Sequence, residues 1–258
     1  MSYPNVPGKH GFRAIVEPGA MIDHRRRGGR AASHAPFSGA IICLQRGLPE
    51  RLRWRVRLRR LGRLMGDLYA VRSAGGRVAV LTGFGLGAPI VAAQAEELIA
   101  LGASRLISVA LAGGIQADLE PGAIVVARAA IRDEGTSYHY LPPAEEVASD
   151  PALSMALADT LARAGCPVRV GRTWSTDAPY RETREEVEHW AAAGVLAVDM
   201  ELAALLAVAQ TRGVRATGAV VVGDSLAGGA WRPPERLEAM ERSLEAVYRA
   251  AIEVLDAP

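Results

Sequence analysis

Aromatic side chains are scarce. Phe, Trp and Tyr make up 5% of the 258 residues, although half of the chain is hydrophobic. A core must therefore be built from Ala, Val, Leu and Ile, and the β-branched members of that set favour strands. Cysteine is scarce too. Cys43 and Cys166 both stand in apolar surroundings, so they read as reduced core residues and not as a disulfide framework. No group of Cys and His has metal-ligand spacing, and no metal is expected. Excess charge is missing: the net charge is +2, which argues against a globally basic nucleic-acid binder. No apolar run is long enough to span a membrane, and the first residues carry no apolar signal segment. A soluble, cytoplasmic protein without a membrane partner is the expectation.

What is present is a strand-and-helix alternation of a length that suits one large α/β domain. Residues 1–38 hold Pro, Gly, His and the run Arg25-Arg26-Arg27-Gly28-Gly29-Arg30. They read as a loosely ordered N-terminal arm, or one that wraps a neighbouring subunit, and 39–258 as the domain. Buried strands are expected at 40–44, 106–111, 123–127, 168–174, 196–198 and 219–222, and a strand pair at 68–71 and 78–82 around Gly75-Gly76. Helices are expected at 89–101, 151–164, 182–193, about 202–212 and from Pro233/Pro234 nearly to the end. This pattern predicts a parallel or mixed sheet. Between the first two strands, Arg51, Arg53, Arg55, Arg57 and Arg59 alternate with Leu52, Trp54, Val56 and Leu58. A period of two predicts a strand with one basic face. It would be either an edge strand whose charges block aggregation or a surface facing anions.

Polar groups collect where strands end, the place where open α/β sheets bind ligands. Ala219 to Val222 form an apolar run that turns at Gly223 into Asp224 and Ser225. Gly83-Phe84-Gly85-Leu86-Gly87 links a strand to the helix that Pro89 opens, and such a turn brings backbone N–H groups close to an anion. Asp199-Met200-Glu201 follows the 196–198 strand. Each also has a plainer reading: Asp224 as a cap, the glycines as a tight turn, Met200 as core, and Glu201 as a carboxylate at a helix N-terminus. The polar, aromatic segment 132–143 reads as a long functional loop.

Taken together these segments resemble a known family. Ala197-Val198-Asp199-Met200-Glu201-Leu202-Ala203-Ala204 is similar to the "VEMEAA" element of the nucleoside phosphorylase superfamily, which includes purine nucleoside and uridine phosphorylases and hydrolase relatives. Gly223-Asp224-Ser225 resembles its "SD" element, and Gly83 to Gly87 its "GxGxG" turn. Ser175-Thr176-Asp177-Ala178-Pro179-Tyr180 and the segment 132–140 look like further parts of it. The resemblance runs in family order over roughly residues 40 to 255. It implies a single domain, with a central mixed, barrel-like sheet flanked by helices, assembled as a homo-oligomer. It also implies Asp224 as the catalytic acid on the leaving base, and Glu201 and Met200 at the sugar.

Other expectations follow from the resemblance. Thr176, Asp177 and Tyr180 would line the base, Arg232 would close over the site, and Asp224 tilts the base toward a purine. His139 and His10 are weaker candidates. No cofactor is implied; inorganic phosphate would be the co-substrate. The phosphate site departs from the family pattern, because Ser108 and Leu111 stand where an Arg and a Ser usually do. Phosphate would then be held by Arg46, the Gly85 turn and Arg63, the last from a neighbouring subunit. The alternatives are a hydrolase, with Glu50 or Glu17 orienting water, and a nucleoside binder without catalysis.

Overall fold

The computed structural model describes residues 6–28, 37–52, 54–235 and 237–257. Five strands close on themselves: β5 (Arg105–Gly114), β6 (Ile124–Asp133), β8 (Val168–Thr176), β9 (Val195–Asp199) and β10 (Arg215–Ser225). β10 pairs parallel with β5 and antiparallel with β6. β6 runs parallel to β8, β8 parallel to β9, and β9 antiparallel to β5. The barrel-like mixed sheet implied by the sequence is present. Beyond β5 the sheet continues through β1 (Gly39–Cys43), β4 (Val78–Thr82), β3 (Asp67–Val71) and β2 (Leu58–Arg63), and β7 (Glu146–Ala148) pairs with β6.

Small and β-branched side chains permit this closure. β1, β4 and β9 are buried along their whole length, as expected of strands covered on both faces. Alternate residues feed two apolar layers. Ala40 and Ile42 join a cluster with α3 (Ala88–Ala100) and α6 (Leu202–Arg212). Ile41 and Cys43 join another with α4 (Pro151–Arg163) and α7 (Leu237–Asp256). Cys43 is fully buried and Cys166 half-buried, both as free thiols. No helix among the described residues is long and apolar enough to cross a membrane.

The basic alternation at 51–59 is not one strand. Residues Gly47–Leu52 form a short helix, α2, and the chain turns before β2 starts at Leu58. Leu48, Leu52 and Val56 are buried while Trp54 is exposed. Leu48 and Leu52 share one face of α2, and Val56 is buried in the turn that follows it, so no period of two runs through the segment. Arg51 and Arg55 pair with Glu241 and Glu245 of α7, and Arg53 lies outside the described residues. Only Arg59, Arg60 and Arg63 belong to β2, which is an edge strand.

Within the expected N-terminal arm, Pro18–Arg27 form helix α1. Its Ile22 is buried, and its Arg25 pairs with Glu97 of α3 at 2.6 Å. Residues 29–36 lie outside the described residues.

The β2–β3 turn depends on Gly66. A β-carbon there would lie 2.5 Å from the Thr82 carbonyl oxygen and 2.8 Å from the Phe84 ring. Backbone cannot yield cheaply, so Gly66→Ala is expected to cost about 1–3 kcal/mol. Thermal unfolding should show a midpoint several degrees lower; an unchanged midpoint would mean that the hairpin relaxes freely.

Candidate active site

The C-terminal ends of β1, β4, β5, β9 and β10 face a cavity of about 790 Å³, a size typical of small-molecule sites. β9 supplies its floor. Asp199 is buried, and its Oδ1 accepts hydrogen bonds from Ser175 Oγ at 2.6 Å and from the Glu201 and Leu202 amides at 2.9 Å each. It satisfies amide donors at the start of α6 that the helix leaves unpaired. Burial raises its pKa, against the pull of these hydrogen bonds.

Those bonds fix the turn that carries Met200 and Glu201, and both line the cavity. Glu201 Oε1 accepts from the Gly87 amide at 2.7 Å, and Oε2 from the Met200 amide at 3.2 Å. Gly87 has a φ of +104°, a conformation open to glycine. The Gly-rich turn expected to cradle a ligand anion thus spends this amide on a protein carboxylate. Burial, followed by the nearby Asp199 charge, pushes Glu201 up to about 7, and the Gly87 and Met200 amides act in the opposite direction.

The end of β10 supplies the second carboxyl. Register against β5 shifts between Val222 and Asp224, and such a bulge re-aims a side chain. Asp224 lines the cavity, and its Oδ2 accepts from Trp231 Nε1 at 2.6 Å. The Trp231 loop is closed by paired backbone hydrogen bonds between Ser225 and Arg232. Gly229 also packs tightly on Arg184: a β-carbon there would lie 2.5 Å from Arg184 Cγ. Tyr180 and Glu182, a few residues before Arg184, line the same cavity.

The expected site residues divide on this geometry. Asp224, Glu201, Met200 and Tyr180 come together. Leu111 joins them, whereas Ser108 is buried in β5 and does not line the cavity. Arg46 and Gly85 are exposed on the β1–α2 and β4–α3 turns, next to the lining residues Gln45 and Leu86.

Four of the expected residues do not line this cavity, Arg63 having been expected to reach a neighbouring subunit's site. Arg63 lines a separate cleft of about 650 Å³ with His24, Arg25 and Arg60, and it pairs with Asp67 at 3.5 Å. Thr176 is buried beneath its own loop, and Asp177 Oδ2 accepts from the Gly135 amide at 2.7 Å. Arg232 donates from Nη2 to Ser225 Oγ at 3.0 Å, so the indole of Trp231 reaches the acid in its place. Local hydrogen bonds claimed these groups, and residue spacing gives no sign of that.

His139 contacts Lys9, and His10 Nε2 donates to the Tyr138 carbonyl at 3.0 Å; neither lines the cavity. The segment after β6 is anchored by buried Arg132, which donates to Ser137 Oγ and to the carbonyls of Leu141 and Pro142. Sequence reasoning missed Trp231 and Glu182. An aromatic seven residues past the acid was the available signal for Trp231. Glu182 looked like one more charge at the start of a helix.

The chain matches the phosphorylase superfamily over residues 42–257. It belongs to that family. Among individual relatives, it is 34% identical over 145 residues to a guanosine phosphorylase of Halorubrum lacusprofundi, covering 56% of this chain and 60% of that protein. It is 29% identical over 155 residues to the uridine phosphorylase of Salmonella typhimurium, covering 55% and 61%. To a DeoD-type purine nucleoside phosphorylase of Exiguobacterium it is 31% identical over 188 residues, covering 70% and 77%. The chain therefore spans about three fifths of the length of the first two. A crystal structure of uridine phosphorylase from Vibrio fischeri superimposes with a TM-score of 0.71 at 24% identity, covering 84% of this chain and 91% of that one. That likeness speaks for the fold.

Proposed function

We propose that the protein cleaves the N-glycosidic bond of a nucleoside with inorganic phosphate, releasing the free base and a sugar 1-phosphate. The observation that carries this reading is the placement of Glu201 and Asp224 in one cavity of nucleoside size, with Trp231 hydrogen-bonded to the acid. Family membership and the activities named for the relatives support it. Breaking the bond builds positive charge on the sugar and negative charge on the base. Asp224 donates a proton to the departing base, which stabilises it as a leaving group. Glu201 accepts hydrogen bonds from sugar hydroxyls, and Met200 packs beneath the ring. Tyr180 and Trp231 offer flat faces to the base, and Asp224 favours a purine over a pyrimidine. Arg46 and the turn at Gly85 stand at the rim, where an incoming phosphate meets exposed guanidinium and backbone donors.

One observation favours a second reading. Among the described residues, those lining the cavity include no Lys, Arg or His, and Leu111 cannot donate to phosphate. Water attack would need no such donors. Neither Glu50, which accepts from the Tyr69 hydroxyl at 3.5 Å, nor Glu17, which pairs with Arg13 at 2.8 Å, lines the cavity to orient that water.

A panel of purine and pyrimidine nucleosides, with and without phosphate, separates the readings by chromatography. The expected outcome is base release that requires phosphate and yields a sugar 1-phosphate. Free sugar formed without phosphate would make the protein a hydrolase. No release from any nucleoside would leave a binder.

A further inference from the structure

Resting on the cleavage reading above, we propose that Trp231 is the positioning residue of the acid: its indole N–H holds Asp224 Oδ2, which leaves Oδ1 as the oxygen that carries the proton to the departing base.

The contact fixes the roles of the two oxygens. Trp231 Nε1 lies 2.6 Å from Asp224 Oδ2, and both residues line the cavity. An indole N–H can only donate, so the oxygen it meets must accept. In a carboxylic acid the carbonyl oxygen is the better acceptor and the hydroxyl oxygen the poorer one. Oδ2 therefore keeps the carbonyl role, and the proton is favoured on Oδ1. Among the described residues, none hydrogen-bonds Oδ1. It sits against Gly113 on the cavity wall, where a β-carbon would come within 3.4 Å of it.

The loop delivers this bond. Gly228 and Gly229 turn the chain at φ of +75° and +70°, conformations open to glycine, and Gly229 packs against Arg184 at the start of α5 (Arg184–Ala192). Ser225 and Arg232 then exchange backbone hydrogen bonds of 3.0 and 2.8 Å. Trp231 stands one residue before this clasp. Its ring is 66% exposed, so core packing does not hold it there, and the hydrogen bond to the acid orients it.

The bond strengthens during the reaction. As the C–N bond breaks, its electron pair stays on the base nitrogen, which takes the Oδ1 proton. A phosphate oxygen forms the new bond to the sugar carbon. Asp224 is left as a carboxylate, and the proton released by phosphate restores the acid through solvent. A hydrogen bond to a charged acceptor is about twice as strong as a neutral one. The indole therefore favours the transition state over the ground state, and its loss should fall on kcat.

The first test needs no substrate. The chain has four tryptophans. In the isotope-labelled, ligand-free full chain, the indole NMR signal absent from Trp231→Phe belongs to Trp231. In mildly alkaline buffer that signal should move upfield in Asp224→Asn, where the acceptor loses its charge. The Trp174 indole, which donates to Asp133 Oδ2 at 3.0 Å, should stay in place. An unmoved Trp231 signal overturns the pairing. The second test is steady-state kinetics. Trp231→Phe keeps a flat face for the base and removes the N–H. Its kcat should fall about 10–100-fold, with KM close to wild type. Trp231→His puts an N–H at the same position of the ring and should recover part of the loss. A raised KM with an unchanged kcat would mean that Trp231 only stacks on the base, and overturns the proposal. If wild type releases no base at all, the cleavage reading fails, and the indole signals still decide the pairing.

Discussion

Replacing Asp224 with asparagine should lower kcat by about 10²–10⁴-fold and leave the fold intact. The amide has the size of the carboxyl, and its oxygen can still accept from Trp231 Nε1, now at 2.6 Å from Oδ2. The loop from Ser225 to Arg232 is closed by its own backbone hydrogen bonds, which do not involve the acid's side chain. The variant therefore loses the proton donor and keeps its support. An amide holds a hydrogen bond to the base nitrogen but cannot transfer a proton to it, so the loss should fall on kcat more than on KM. Steady-state kinetics with the best substrate of the nucleoside panel, alongside a thermal melt, checks both halves. Near-normal turnover would end the assignment of Asp224 as the acid. Loss of turnover with an early melt would mean that Asp224 holds the loop and not the proton.

The strand-end carboxyls were legible because their signals are local. A buried apolar run followed by Gly223-Asp224 places an acid at a sheet edge whatever the rest of the chain does, and Asp199-Met200-Glu201 does the same at β9. The closed sheet came only with the family resemblance. Its closure is the pairing of β10 with both β5 and β6, and no local pattern encodes such long-range contacts. The expected residues that stay outside the cavity share one feature. Asp177 found the Gly135 amide and Arg232 found Ser225. A polar side chain near a site bonds to whatever loop the fold brings closest. The basic alternation failed differently. Leu48 and Leu52 on α2 and Val56 in the following turn are all drawn into the apolar cluster with α7, and that burial displaced the period of two.

Glu201 should make the ligand-free protein less stable as pH rises from about 5 to 8, and Glu201→Gln should remove that part of the slope. The sign follows from the direction of its shift. Its folded-state pKa is raised from 4.5 to about 7, so the native state binds a proton that the unfolded chain releases earlier. That contribution is fully present below 4.5 and is lost as pH climbs through about 7. Glu201 is 5% exposed, so solvent screens it little, and the displacement corresponds to about 3 kcal/mol. Glu182, Asp133, Glu134 and Asp199 are shifted the same way, with burial as the first cause in each. The wild-type slope is therefore a sum, and the variant isolates one member of it. Denaturant titrations at pH 5 and pH 8 measure the difference. An equal slope in wild type and variant would mean that Glu201 is already ionised in the empty cavity. On the proposed reading a bound sugar reverses the balance, because its hydroxyls would hydrogen-bond the carboxylate and compensate for its burial. Nucleoside binding should therefore tighten as pH rises through 7, and Glu201→Gln should lose about 10²–10⁴-fold in kcat/KM, the equivalent of two hydrogen bonds to a charged group. The stability cost at neutral pH and the affinity for the sugar then have a single origin: a carboxylate held in a buried turn by Gly87 and Met200.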